Sequence, residues 1–584
     1  MANEPRPPQQ DRLPIKLIMP KQGAERKIPP GGTPPKPFRT VDGKYRNHLS
    51  NQVSALRSAI VPQVRRTGSA PIRVKLLSKA AAKTHRPDNL FSPLSCPIIG
   101  SGRLGELFVK ATPEGLQRLV EIIERNKSDQ VTKELSCVET IEPITPTFRR
   151  GGLEAKDVLR RSPRGKHGFI TRVRLFNLGS DVDQPKLVED FTSVCRQRNI
   201  PISQDGYSPS SFTYGIECRD VDDVEALSRV IGVRSIMHMP LIRTIRPRMF
   251  NPKQLPPLPN RADAAGDFPV VVVVDSGVCA GIPALESWVV GRDSQVAPQY
   301  QNSDHGTFVA GLICWGAELN PTISGLESSP CGVFDLQVIP NQDPDKGDTL
   351  ALLESEFLVS LEAALQEHAN KYKVWNLSLG TDTVCSLDEF STLAEELDNF
   401  QEKYLVSFVI SAGNYDTPPL LDFPRTQQQL DAGRITTPAD SVLGITVGSI
   451  SHVDYKKNGP KEHDPSAFSR HGAGPNYVIK PDLIHYGGSC STDFSHISGI
   501  RSVNNGGSAE NLGTSFATPL VSRTLAQIYH QITPTPSLFL CGGLSYGAAR
   551  KTERGTADPR TPNPTQRGDR CASWPQYIRF PREV

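Results

Sequence analysis

Five consecutive valines, Val270–Val274, stand in the stretch VVVVVDSGV. A strand with one wet face alternates apolar and polar residues. This run does not alternate, so both of its faces must be covered. Helices packed on both sides of a parallel sheet meet that demand. Short apolar runs repeat the signal at Val374–Leu379, Leu405–Ser411 and Leu443–Val447, and Thr349–Leu365 reads as a helix before them. Strands alternating with helices predict a doubly wound α/β sheet. Such sheets bind ligands beyond the carboxyl ends of their strands, and Asp275 follows the last valine directly.

A chain of 584 residues is too long for one core. Residues 1–90 hold 18 Lys and Arg against 5 Asp and Glu. This stretch reads as a disordered, basic, Pro-rich leader with a short helix near His48–Ile60 and linker over 61–90. A basic arm that touches nucleic acid or an acidic partner is the competing reading; nucleic acid is not an expected partner of the whole chain. Residues 100–245 change character. A strand at 105–110 precedes a helix with Leu116, Leu119, Val120 and Ile123 on one face. A β-α-β-α-β pattern then runs from Phe169 to Met239, close to a ferredoxin-like α+β sandwich. No short repeat is obvious, although the two helix-containing units could be distant relatives. Residues 246–268, with NPKQLPPLPN, read as linker, 269–536 as the α/β domain and 537–584 as an atypical disordered tail.

No apolar run reaches the length of a membrane span, and MANEPRPPQQDRLP lacks a signal-peptide core. The 11 cysteines form no C-x-x-C pair, so they read as buried thiols of a reducing compartment, and no zinc spacing occurs. The expected location is the cytoplasm.

Three weak signals become one strong signal when combined. Asp275 alone reads as a turn or cap residue. His305, in SDHGTFVAGL, and Ser515, in NLGTSFATPLVS, each stand at the start of an apolar helix, where such residues are usually structural. Together they supply an acid, a base and a nucleophile. A serine hydroxyl needs a base within hydrogen-bond reach. His305 would take its proton and return it to the leaving amine, and Asp275 would hold the imidazole. Asp304 is a poorer acid, because adjacent residues rarely face each other. Gly306 and Gly513 read as places where main chain approaches closely and a side chain would block substrate.

DSG, HGTxVAG and GTSxATP, in that order, resemble the subtilisin-like serine proteases, or subtilases. The resemblance covers roughly residues 268–532 and implies a seven-stranded parallel sheet sandwiched by helices. It implies that Asn414, in SAGN, is an oxyanion-hole donor. It implies that Ser378, Leu379 and Gly380, in WNLSLG, line the substrate site and pair with an extended peptide. Phe169–Arg243 resembles the family's inhibitory propeptide, with a permanent docking domain as the alternative. The larger extension resembles that of bacterial cytoplasmic subtilases that work beside an AAA-type ATPase. No cofactor is implied. Calcium, common in the family, is left open with no ligand set, since no acidic cluster has loop spacing. The tail beyond Ser537 departs from the family's amphipathic helix and suggests truncation or a frame change near 536–539. The expected activity is serine endopeptidase through an acyl-enzyme, acting on polypeptide and restrained by the N-terminal domain. The competing reading is an inactive peptide-binding pseudoprotease, or a truncated protease serving as an interaction module.

Overall fold

The computed structural model describes residues 37–531 except 81–84, 181, 245–249, 262–266, 343–349, 423–425 and 456–457, together with 550–551 and 578–579. The disorder expected for residues 1–36 and for most of the tail falls outside the described residues. The remainder of the leader is corrected. A helix spans Gly43–Thr67, started by the Asp42 side chain, which accepts from the Tyr45 N–H. Leu49, Val53, Leu56, Ile60 and Val64 bury one stripe of it. What read as linker over 61–90 contains a strand, because Arg and Lys there alternate with buried Ile72, Val74 and Leu76.

The α+β region expected over 100–245 comprises two separate sheets, and the first begins earlier, at Ala70. The first holds β1 (Ala70–Leu76), β2 (Ile98–Ser101), β3 (Glu106–Ala111) and β4 (Val138–Pro143) in the antiparallel order β2-β3-β1-β4. The second holds β5 (Phe169–Leu175), β6 (Ile202–Ser203), β7 (Thr213–Cys218) and β8 (Val233–His238) in the order β6-β7-β5-β8, also antiparallel. The two share a register. Arg73 faces Phe108 and Glu142 as Arg172 faces Gly215 and Met237. A bulge falls before the last residue of both β1 and β5. The central strands end Arg-Val-Lys-Leu and Arg-Val-Arg-Leu. Helices Pro113–Arg125 and Val221–Arg229 are both capped by side chains, Thr112 and Asp220, that accept from the third residue on. The N-terminal half is therefore a structural duplication. The suspected kinship of the two units is visible in register where sequence similarity is thin.

Beyond β8 the chain forms β9 (Leu241–Ile242) and β10 (Phe250–Lys253). The latter pairs with Gly507–Asn511, so the expected linker is partly an edge strand. Its proline is tolerated because edge strands can leave a position without a donor. The C-terminal domain holds β11 (Val270–Asp275), β12 (Val289–Ser294), β13 (Gly332–Gln337), β14 (Leu352–Leu353), β15 (Val374–Leu377), β16 (Ser407–Ser411), β17 (Ile445–Ile450) and β18 (Leu483–Tyr486). Seven of these form one parallel sheet in the order β12-β13-β11-β15-β16-β17-β18. The valine run does what its lack of alternation predicts. Val271 and Val273 enter one core with helices Asp304–Leu319 and Thr514–Gln531. Val272 and Val274 enter another with helices Glu354–His368 and Thr392–Tyr404. Among the described residues no helix is long and apolar enough to cross a membrane.

Gly115 tests the packing of the first unit. A Cβ there would lie 2.2 Å from the Ser95 carbonyl oxygen. Alanine gains about 1 kcal/mol of helix propensity, but overpacking against main chain costs about 1–3 kcal/mol. Gly115→Ala is therefore expected to lower stability in chemical denaturation, and a gain would contradict this packing.

Candidate active site

Asp275 ends β11 and is fully buried. Both of its carboxylate oxygens lie 2.9 Å from His305 Nδ1, and the Ser276 N–H donates to Oδ1. His305 is the second residue of the helix Asp304–Leu319 and is also buried. Asp304 is turned elsewhere and accepts from Asn505 Nδ2. The close approach expected at Gly306 is real, although its partner is not substrate. A Cβ on Gly306 would lie 2.3 Å from the Gly277 carbonyl oxygen, so this glycine lets the histidine helix sit on the loop after Asp275.

Ser515 is the second residue of the helix Thr514–Gln531. The next residue, Phe516, places its ring 5.5 Å from the His305 ring and 4.6 Å from Phe308. Pro519 stands four residues after Ser515 and has no N–H to give the Ser515 carbonyl. That carbonyl instead accepts from Ser378 Oγ at 2.7 Å. Ser378 in turn accepts from Asn376 Nδ2, and Asn376 Oδ1 accepts from Ser522 Oγ. A buried polar chain thus ties β15 to the serine helix.

Asn414 follows β16. Its Oδ1 accepts from the Thr514 N–H at 2.9 Å and from Thr514 Oγ1 at 3.0 Å. The amide oxygen is committed, which leaves Nδ2 as the end available to a ligand. A Cβ on Gly513 would lie 3.2 Å from that Nδ2. Arg470 Nε donates to the Asn414 carbonyl and steadies the turn. Asp275, His305, Asn414 and Ser515 therefore gather at the carboxyl edge of one sheet. Reading the sequence did not single out Thr514, Arg470 or Asn376. They act across 56 to 146 residues of chain, and nothing local in the sequence marks such pairings.

Leu379 is buried and its carbonyl accepts from Ser411 Oγ. Gly380 offers its carbonyl to the Arg243 N–H at 3.2 Å in an antiparallel bridge. On the other side of this segment β9 pairs antiparallel with β14. Residues 241–243 thus run as a middle strand between Leu352–Leu353 and Gly380. The second α+β unit is held nearby by charge. Arg172 grips both oxygens of buried Glu354, which also accepts from Tyr207 Oη. Arg174 pairs with Glu395 at 2.7 Å, and Ser208 donates to Glu396. Burial raises the Glu395 carboxyl above its ordinary value, against the opposing pull of Arg174. Glu354 and Glu395 lie in the first turns of their helices, where the N-terminal dipole favours a carboxylate.

Among the described residues one group brings three metal-type ligand atoms within 4.8 Å, namely Asp293, Glu367 and His368. It includes an imidazole and so does not match the all-oxygen set that calcium takes.

Residues 266–537 match the model of the subtilase family. Solved structures similar to the chain include a cold adapted subtilisin-like serine proteinase, at 22% identity over 53% of this chain and 92% of that one, with a TM-score of 0.34. The epidermin leader peptide processing serine protease of Staphylococcus aureus is 17% identical over 67% and 94%, with a TM-score of 0.40. A lanthipeptide protease is 18% identical over 49% and 81%, with a TM-score of 0.34. None of the curated proteins matches. With its parallel sheet and a match that spans the whole α/β region, the C-terminal half of this chain is a subtilase-family domain, that of a subtilisin-like serine peptidase.

Proposed function

We propose that the chain is a serine endopeptidase in which Ser515 attacks the peptide carbonyl, His305 moves the proton and Asp275 orients the imidazole. The observation that carries this reading is the buried Asp275–His305 pair at 2.9 Å. With Nδ1 held by the carboxylate, Nε2 is left to act as base toward Ser515. As the tetrahedral intermediate forms, negative charge moves onto the former carbonyl oxygen. Asn414 Nδ2 and the main-chain N–H at the helix start are the donors suited to hold it. The amine leaves with the proton from His305, and water then cleaves the acyl-enzyme by the same steps in reverse order of roles.

The N-terminal units act as a restraint in this proposal. What supports that is the middle-strand position of residues 241–243 beside Ser378–Gly380. Peptide substrate would use the same edge. A cytoplasmic location is supported by the nine described cysteines, all of them free. An AAA-type ATPase as partner rests on domain layout alone, and co-purification with the intact chain would test it.

A fluorophosphonate probe is expected to label the intact protein at Ser515, and labelling should vanish in Ser515→Ala; a well-folded chain that resists the probe would favour the pseudoprotease. Gly306→Ala should push the histidine helix off the Asp275 loop and lower kcat by about tenfold or more, since an ångström of misplacement is costly; an unchanged kcat would disconnect that contact from catalysis. Arg172→Ala strands the buried Glu354 carboxylate and should weaken docking by about 2–5 kcal/mol. Short-peptide turnover by the full-length chain should then rise, and no rise would argue against the docked unit as a restraint.

A further inference from the structure

The segment that pairs with Gly380 alternates as a strand should. Ile242 and Thr244 are buried at 0% and 2%, whereas the Arg243 side chain is 41% exposed. Arg243 does not simply point to water. Its Nη2 lies 3.2 Å from Asp382 Oδ2. Gly380 and Asp382 are two residues apart, with the chain bending at Asp382, so one takes the main chain of Arg243 and the other takes its charge.

The stretch that carries Asp382 is fixed on both sides. The Thr381 N–H donates to the Thr437 carbonyl at 2.9 Å, and the hydroxyls of Thr381 and Thr437 lie 2.6 Å apart. Thr383 donates its N–H to Thr381 Oγ1. Val384 bridges to Thr436, and the Cys385 N–H donates to the Ile435 carbonyl. None of these bonds uses the Asp382 carboxylate, which is 75% exposed. The main chain of this stretch is held by hydrogen bonds, and the Asp382 carboxylate faces the Arg243 side chain.

We propose that Asp382 is a specificity residue, selecting arginine or lysine at the substrate position that pairs with Gly380. The inference rests on the peptidase reading above and adds to it a substrate class: extended segments with a basic residue at that position. The exposure of both partners sets the size of the effect. Exposed pairs contribute little and are screened by salt. The expected preference for arginine over glutamine is therefore about two- to fivefold in kcat/KM, and larger over glutamate.

Quenched-fluorescent peptides that reproduce residues 239–250, with Arg, Gln or Glu at the place of Arg243, test this with the full-length chain. The chain's own segment competes equally with each peptide, so the ratios stand. The order Arg, Gln, Glu is expected, flattening in Asp382→Asn and in molar salt, and favouring Glu in Asp382→Lys. Equal rates for the three peptides, or an order that Asp382→Lys leaves intact, overturn the proposal while leaving the peptidase reading in place. If no peptide is cleaved and the fluorophosphonate does not label Ser515, the peptidase reading fails. The same peptides are then compared by equilibrium binding to the chain and to Asp382→Asn. A preference for Arg that Asp382→Asn abolishes upholds the role of Asp382 as a basic-residue contact, and equal binding or none sinks it.

Discussion

The site depends on a carboxylate and an imidazole that share a dry position at the end of a central strand. Asp275 and His305 are both buried, so each needs a polar partner within the protein. Each is usable because the other is at hydrogen-bond distance. That distance is set by main chain. The strand must end at Asp275, and the histidine helix must rest on the Gly277 carbonyl through a residue with no side chain. The valine run stabilises the platform from both faces, and the glycine sets the spacing.

Much of this was legible because it is local or periodic. Unbroken valines announced a doubly covered strand, and Asp275 followed it in sequence. His305 and Ser515 were singled out with Asp275 because DSG, HGTxVAG and GTSxATP occur in one order, and Asn414 followed only from the resemblance those motifs carry. What escaped the sequence was what depends on distant pairing. Arg65, Arg66, Arg73 and Lys75 looked like a solvated linker, yet the apolar residues between them fill a core. The prolines around Phe250–Lys253 disguised an edge strand. Asn376 and Thr514 stand inside the WNLSLG and GTSxATP stretches, but nothing local names their partners 100 or more residues away.

The duplicated N-terminal units show how one surface can serve two tasks. In the second unit, Arg172 and Arg174 leave the central strand on the side away from its core and meet acidic helix ends. In the first, their counterparts Arg73 and Lys75 pair with Glu106 and Glu142 of their own sheet. Phe108 of the first unit instead packs on Phe176 of the second. Arg234 then joins everything: its guanidinium lies over both rings and donates to Ser101 and Glu389. The first unit thus braces the second rather than competing with it for the same helices.

Pro519 has an effect that reaches past its own helix. By withholding an N–H it frees the Ser515 carbonyl for Ser378, which belongs to the edge where a peptide would lie. One hydroxyl therefore anchors both the rail that would guide an incoming chain and the alcohol that would cut it. The two are geared together, so slack introduced at the rail is passed on to the blade.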